Sequence, residues 1–218
     1  TFEDLLARAM IESDNAAADR LVRQVGGAEA IRLTLARKGI TGIDVGGEER
    51  EMQSRIAGLT WRPEYGLGGA FKAARARLPP EARDAALAAY LAQPPDGAAP
   101  VAIVQALAAL QRGELLSPDS TQRLLGLMAQ ATTGPKRLKG GLPPDWTIAH
   151  KTGTGQDWRS ASIGINDVGL ITAPGGRVYA VAVLIRRTAR PTPERLDFMQ
   201  SISAALVRHW RSEVEPPY

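Results

Sequence analysis

The strand-forming sequence of this chain is confined to one stretch, and this order of elements restricts the fold more than any other feature. Apolar runs at 168–173 and 177–186 flank Pro174-Gly175-Gly176, which predicts a β-hairpin. A further strand is predicted from about Thr147, after the turn-forming residues 141–145. Helical periodicity dominates before these strands, and a last helix begins near Thr192. The sequence therefore predicts an α+β fold with a mainly helical lobe and an antiparallel sheet flanked by helices.

The first 130 residues are predicted to be mainly helical. Apolar residues recur at helical spacing, and glycines and prolines separate the segments, which are 2–12, 16–25, 28–38, two short helices within 68–95, 101–111 and 119–130. Between residues 40 and 64 the helical period is lost, so we expect a loop there. We therefore divide the chain into a helical lobe at 1–130 and a sheet-bearing part at 131–218, which form one functional unit.

Composition excludes several classes of function. The chain has 218 residues, 44% of them hydrophobic, which is enough for a buried core. Its net charge is +4, but the basic residues are scattered, so no nucleic-acid partner is expected. Cysteine is absent and His150 and His209 are the only histidines, so no metal site and no cofactor are expected. No apolar run reaches the length of a membrane span.

The strand that begins at Thr147 carries the first candidate site, in Lys151-Thr152-Gly153-Thr154. Alternation along a strand predicts that Lys151 and Gly153 point to one face and the two threonines to the other. Gly153 is expected to leave a gap through which a ligand approaches the backbone. An ammonium, hydroxyls and a strand N–H suit an anionic substrate that contains a carbonyl group. A glycine-interrupted strand with a surface lysine is the alternative.

Two further segments contain side chains that are suited to chemistry. Ser13-Asp14-Asn15 lies between two predicted helices, so it is either a corner that presents its side chains or an ordinary N-cap cluster. The acidic run Glu48-Glu49-Arg50-Glu51 lies in the 40–64 segment. Such a segment is either a functional loop or a solvated surface.

Taken together, these motifs resemble those of the class A serine β-lactamases, members of the penicillin-binding and β-lactamase-like serine hydrolase family. Ser13-Asp14-Asn15 and Lys151-Thr152-Gly153 are two of the three motifs of that family. The resemblance covers essentially the whole chain, including Thr-Thr-Gly-Pro-x-Arg-Leu at 132–138 and Asn166-Asp167 before the hairpin. Glu49-Arg50-Glu51-Met52 is similar to the loop glutamate setting of the extended-spectrum branch.

The resemblance implies a small-molecule β-lactam substrate whose ring is opened through an acyl-serine intermediate. Ser13 would relay a proton to the leaving nitrogen, and Lys151 would keep that proton mobile and attract the substrate carboxylate. Asn15 would bind the side-chain amide of the substrate. Glu49 would hold the water that hydrolyses the acyl-enzyme, with Glu48 as the substitute if the register is shifted.

The same resemblance implies that the end of this strand binds substrate. Thr152 and Thr154 would bind the substrate carboxylate, with Gly153 and Gly155 beside them, and the Thr154 N–H would form half of the oxyanion hole. His150 is expected to be a strand residue beside the site. Two features depart from the family: Gln53 replaces an asparagine that often follows the loop glutamate, and residues 62–98 are longer than the usual connection.

The largest departure is that Ser-x-x-Lys, which carries the family's nucleophile, does not occur in the sequence. Thr133-Gly134-Pro135-Lys136 has similar spacing, but Gly-Pro would break the helix that aligns such a pair. We therefore expect that an N-terminal segment carrying the nucleophile is missing and that the chain alone is inactive. The alternatives are a D-alanyl-D-alanine peptidase-like protein and a non-catalytic β-lactam-binding protein. The resemblance also implies a periplasmic or secreted location, and a monomer is expected by default.

Overall fold

The computed structural model describes residues 1–214 and shows helices together with one antiparallel sheet. The α+β class that the sequence predicts is confirmed. The described residues form two compact units, of which the first comprises 1–9 and 14–99 and the second comprises 10–13 and the residues from 100 onward. This division places the helices between 100 and 129 with the sheet, whereas the boundary predicted from the sequence lies near residue 130.

The first unit is helical. Its α-helices are α1 (Phe2–Ala7), α2 (Asn15–Gln24), α3 (Gly27–Arg37), α4 (Glu49–Ile56), α5 (Ala70–Ala76) and α6 (Pro80–Ala92). A short 3-10 helix, Pro63–Gly66, precedes α5. Helix α2 packs against α1, α3 and α4, and α4 also packs against α6. Helix α4 is therefore held between two other helices of its unit.

The second unit contains the sheet. Its elements are α7 (Pro100–Gln111), α8 (Pro118–Ala129), a 3-10 helix (Leu138–Gly141), β1 (Thr147–Gly153), β2 (Asp157–Trp158), β3 (Ala161–Thr172), β4 (Val178–Thr188) and α9 (Thr192–Val214). The long strand β3 is central, because β1 and β4 both pair with it in antiparallel register. The predicted hairpin is confirmed, although β3 begins well before the predicted residue 168.

Both faces of the sheet are covered by helices. One face packs against α9 in a core that includes Ile148, Ile171 and Met199. The other face packs against α7 and α8 through Leu170, Leu107 and Met128. Since side chains alternate along a strand, neighbouring residues of β1 contribute to opposite layers. None of the helices within residues 1–214 is both long and apolar enough to cross a membrane.

Two of the predicted secondary-structure elements were wrong. The helix predicted over 2–12 is α-helical only to Ala7 and continues as a π-helix, Arg8–Glu12. The 40–64 segment, expected to be a loop, contains α4. The cause lies in a distant residue, because the buried Asp19 carboxylate accepts the N–H groups of Glu49 and Arg50 at the start of α4. It supplies the cap that Glu48 does not provide.

Candidate functional site

The second unit brings together two residues that lie far apart in the sequence. The Lys151 ammonium donates hydrogen bonds to Ser13 Oγ at 2.6 Å and to the Thr152 carbonyl at 2.7 Å. Ser13 and Lys151 are separated by 138 positions, and both are partly buried. An ammonium that contacts a hydroxyl can stabilise the oxygen as it exchanges a proton, so the pair is suited to proton relay.

The backbone around Ser13 is unusual and firmly held. Ser13 has φ 59°, in the left-handed region, where residues other than glycine are uncommon. Just before it, the Ile11 carbonyl accepts hydrogen bonds from both the backbone N–H and the hydroxyl of Thr132, at 3.0 and 2.9 Å. Met10 packs into the core beneath the sheet. The surroundings thus hold Ser13 in a strained conformation beside Lys151.

The alternation predicted for Lys151, Thr152 and Gly153 is confirmed, whereas Thr154 lies beyond the end of β1 and does not share the buried face of Thr152. His150 and Thr152 are buried, whereas Lys151 and Gly153 between and after them are only partly buried. The Thr152 hydroxyl lies 2.7 Å from the Thr133 hydroxyl. A hydroxyl can donate one hydrogen bond and accept two, so this contact leaves further capacity on both oxygens. Thr154 lies just beyond the strand and is exposed.

Arg137 is a site residue to which the sequence analysis gave no role. Its guanidinium donates to the carbonyls of Gly153 and Asn166, at 2.8 and 2.6 Å, and to the Thr154 hydroxyl at 2.6 Å. Burial lowers the pKa of Arg137, and the nearby Asp167 carboxylate opposes that shift. Arg137 therefore places a second cation at the end of β1. Its position in the 132–138 motif is the sequence feature from which a role in the site could have been predicted.

The two glycines that follow Lys151 allow another strand to pack closely against the backbone. A Cβ at Gly153 would lie 3.3 Å from the Asn166 side-chain nitrogen, so the glycine allows a close approach of that side chain, and the gap expected for a ligand stays a prediction. A Cβ at Gly155 would lie 2.6 Å from the Ile163 carbonyl oxygen, which is too close for any side chain. The Gly155 N–H donates to the carbonyls of Ile163 and Gly164. Both glycines allow β3 to approach closely, and a ligand-binding role for them stays a prediction.

In the first unit, Asp14 and Asn15 form the start of α2. The Asp14 carboxylate caps the helix by accepting the N–H groups of Ala16 and Ala17, at 2.8 and 3.1 Å. Arg8 pairs with the same carboxylate. Asn15 is the first residue of the helix and is exposed. Asp14 therefore acts as an N-cap, and the side chain of Asn15 is accessible.

The three glutamates of the acidic run have different surroundings, which distinguishes them. Glu48 forms ion pairs with Arg23 and Arg50. Glu51 is exposed. Glu49 is partly buried, and one of its carboxylate oxygens accepts a hydrogen bond from the Gln53 amide at 2.7 Å. Gln53, one helical turn along α4, thus contacts the glutamate that the sequence analysis selected, although it replaces the family's usual asparagine.

Comparison with known proteins identifies the family. Residues 1–210 match the model of the Beta-lactamase enzyme family. The chain belongs to this β-lactamase family. A β-lactamase from Streptomyces lavendulae is 31% identical over 192 residues, which is 88% of this chain and 50% of that protein. The fold of this β-lactamase-family chain is similar to that of solved class A enzymes.

Two solved structures document this likeness. The TLA-1 extended-spectrum β-lactamase is 28% identical, with a TM-score of 0.72, covering 94% of this chain and 62% of that one. A class A β-lactamase from Bacteroides cellulosilyticus shares the fold with a TM-score of 0.74 at 23% identity, covering 96% of this chain and 64% of that one. The class A serine β-lactamase-like fold expected from the motifs is thereby confirmed. The chain spans about half the length of the curated relatives it matches.

Proposed function

We propose that this chain is part of a serine β-lactamase, and that the complete enzyme opens β-lactam rings through an acyl-serine intermediate. The observation that carries the proposal is the 2.6 Å contact between Lys151 Nζ and Ser13 Oγ. It unites the two motifs that the sequence shares with class A enzymes. Family membership and the fold support the same reaction.

Ser13 and Lys151 act in the proposed acylation step. The oxygen of a serine nucleophile attacks the lactam carbonyl, the C–N bond breaks, and the nitrogen takes up a proton. We assign Ser13 as the hydroxyl that hands this proton to the nitrogen, and Lys151 as the cation that keeps the proton mobile. Lys151 holds Ser13 by a short hydrogen bond, so this hydroxyl is oriented before substrate arrives.

The proposed carboxylate site lies at the end of β1. Lys151 and Arg137 provide positive charge, and the hydroxyls of Thr152 and Thr154 provide hydrogen bonds. A guanidinium binds carboxylates strongly because its N–H groups form a planar fork. The Thr154 N–H is assigned to the oxyanion hole, where a backbone donor stabilises the negative oxygen of the tetrahedral intermediate.

Glu49 and Asn15 complete the assignment. We assign Glu49 as the base that activates water to hydrolyse the acyl-serine ester, with Gln53 holding its carboxylate. Asn15, which is exposed at the start of α2, is assigned to the amide side chain of the substrate. A D-alanyl-D-alanine peptidase does not need the glutamate, so the Glu49–Gln53 contact favours the β-lactamase assignment.

The nucleophile itself is proposed to lie outside these 218 residues. No serine precedes a lysine by three positions in this sequence, and we propose that another segment supplies the Ser-x-x-Lys pair. We propose that such a segment is required for turnover and that the isolated chain does not hydrolyse β-lactams. Adding the segment, in the same chain or as a second fragment, restores hydrolysis under this proposal.

A nitrocefin assay on the complete product of the gene tests the proposal. Hydrolysis is expected for the complete product, with Lys151→Ala lowering kcat/KM by about 10²-fold or more. Glu49→Gln should slow release of the acyl group by about 10²–10⁴-fold while acylation remains measurable by mass spectrometry.

Glu51→Gln is the matched control for Glu49→Gln, because Glu51 lies on the same helix and is exposed. This variant should hydrolyse nitrocefin at the wild-type rate. Absence of any acyl-protein in the Glu49→Gln variant of the complete product would contradict the proposal. A stable acyl-protein that the wild type never releases would instead indicate a β-lactam-binding protein.

A further inference from the structure

A buried ionisable pair lies on the α9 side of the sheet, close to the site but not used by the proposed reaction. His150 Nδ1 is 2.8 Å from Asp167 Oδ1, and both side chains are almost fully buried, with 1% and 0% exposed. Burial of such a pair is costly unless its hydrogen bonds are satisfied. The pair therefore calls for an explanation beyond core packing.

Asp167 connects three segments of the second unit. Its Oδ1 meets His150 on β1, its Oδ2 accepts the backbone N–H of Leu138 at 3.1 Å, and Asp167 itself belongs to β3. The residues that contact Asp167 on β1 and at the start of the 3-10 helix are each adjacent in the sequence to a residue of the candidate site. His150 directly precedes Lys151, and Leu138 directly follows Arg137. The carboxylate thus ties together the backbone next to both cations.

Strand β3 packs closely against the backbone of β1 at His150. Gly169 lies opposite His150 in the register, and a Cβ there would be 2.7 Å from the His150 Cβ and 2.4 Å from the Ala149 carbonyl oxygen. A residue larger than glycine therefore does not fit at position 169 opposite His150. His150 Nε2 is buried and has no hydrogen-bond partner among the described residues, so the ring forms its hydrogen bond through Nδ1. An ionised carboxylate can only accept, so the proposed pairing has Nδ1–H donating to Asp167 Oδ1.

We propose that His150 and Asp167 are positioning residues that set the geometry of the two substrate-binding cations, Lys151 and Arg137. His150 fixes the backbone of β1 from which Lys151 reaches Ser13. Asp167 accepts the Leu138 N–H and so fixes the backbone beside Arg137. Its negative charge also balances the positive charge of the half-buried Arg137 guanidinium. Neither residue contacts substrate; both act through the backbone and the charge of their neighbours. The effect on catalysis rests on the proposed function, whereas the positioning itself does not.

Three variants separate positioning from simple stability. His150→Phe fills the volume of the ring but removes the Nδ1–H donor. His150→Asn retains an N–H donor close to the position of Nδ1 and should act as the conservative rescue. Asp167→Asn replaces one of the two acceptor oxygens by an amide nitrogen, so it can accept from His150 or from Leu138 but not from both.

The first measurement is steady-state hydrolysis of benzylpenicillin by the complete gene product. His150→Phe and Asp167→Asn should raise KM roughly tenfold or more, with a smaller change in kcat, because the carboxylate site is displaced. His150→Asn should remain within about threefold of the wild type. Ile171→Val, a core change on the same strand, should lower Tm without changing KM.

The second measurement is NMR on the 218-residue chain and needs no activity. The ring nitrogen signals of His150 should show a proton on Nδ1, and the Arg137 guanidinium signals should shift in His150→Phe and Asp167→Asn but not in Ile171→Val. If His150→Phe and Asp167→Asn do not fold, the same Arg137 signals are compared between the wild type and His150→Asn, and an unprotonated Nδ1 in the wild type overturns the proposed Nδ1–H donor.

The two measurements also separate this proposal from the proposed function. If the wild type does not hydrolyse benzylpenicillin but the Arg137 signals shift as expected, the positioning role stands and the enzyme assignment fails. Unchanged KM and unchanged Arg137 signals in folded His150→Phe and Asp167→Asn would overturn the positioning role.

Discussion

Asp19 provides the most direct test of how the first unit holds Glu49. The Asp19 carboxylate is 3% exposed and accepts the backbone N–H groups of Glu49 and Arg50, at 2.6 and 3.3 Å. Replacement by alanine leaves both N–H groups at the start of α4 without this acceptor. It also removes a negative charge from the positive end of the helix dipole.

The expected cost follows from these contacts. A hydrogen bond to a charged group contributes about 1.5–3 kcal/mol, and the second of these two bonds is long. We therefore expect Asp19→Ala to lower the free energy of opening α4 by about 3 kcal/mol, which corresponds to an increase of roughly 10²-fold in amide exchange. Asp19→Asn keeps one acceptor oxygen and should lose about half as much.

Hydrogen exchange at the Glu49 and Arg50 amides, together with urea unfolding, measures this cost. Asp44→Ala is the matched control, because Asp44 is an exposed aspartate of the same unit and its replacement should change stability by less than about 0.5 kcal/mol. If Asp19→Ala leaves the exchange of both amides within threefold of the control, the capping argument is refuted.

Two further predictions concern a cap and a close contact. The N–H of Ala17 is the main cause that lowers the pKa of Asp14, so this cap stabilises α2 above about pH 4 and is lost as the pH falls through the lowered pKa. In urea unfolding, Asp14→Asn should keep the cap without this acid dependence. Asp14→Ala should lower the free energy of unfolding by about 1 kcal/mol at pH 7. An acid dependence that is unchanged in Asp14→Asn would contradict the capping role of the carboxylate. Gly155→Ala forces a Cβ against the Ile163 carbonyl oxygen and should lower stability by about 1–3 kcal/mol in thermal unfolding. The control, Gly126→Ala in α8, should stabilise the protein by up to about 1 kcal/mol. Equal effects of the two substitutions would contradict the predicted clash at Gly155.

The elements that the sequence predicted well are those whose signals are local. The hairpin follows from Pro174-Gly175-Gly176, and the alternation of β1 follows from a run of residues that are neighbours in the chain. Helix α4 was missed because its cap, Asp19, lies 30 residues away from Glu49. No pattern within the 40–64 segment reports such a contact.

The same distinction applies to the candidate site. Motif resemblance selected Ser13 and Lys151, and the structure brings them into contact. Arg137 contacts Gly153 and Thr154, which follow it by 16 and 17 positions, and the intervening 3-10 helix and β1 have to fold back for these contacts to form. Spacing alone does not predict them. The pairing of His150 with Asp167 depends on the register between β1 and β3, which the sequence leaves undetermined.

The left-handed backbone at Ser13 means that the residue best for stability at this position differs from the residue needed for the proposed chemistry. Glycine would relieve a conformational cost of about 1–2 kcal/mol there, but it would also delete the hydroxyl that meets Lys151. A selection for thermal tolerance alone should therefore enrich glycine at position 13, whereas a selection that demands turnover should keep serine. The ratio of the two residues in a pooled library would reveal which demand is acting.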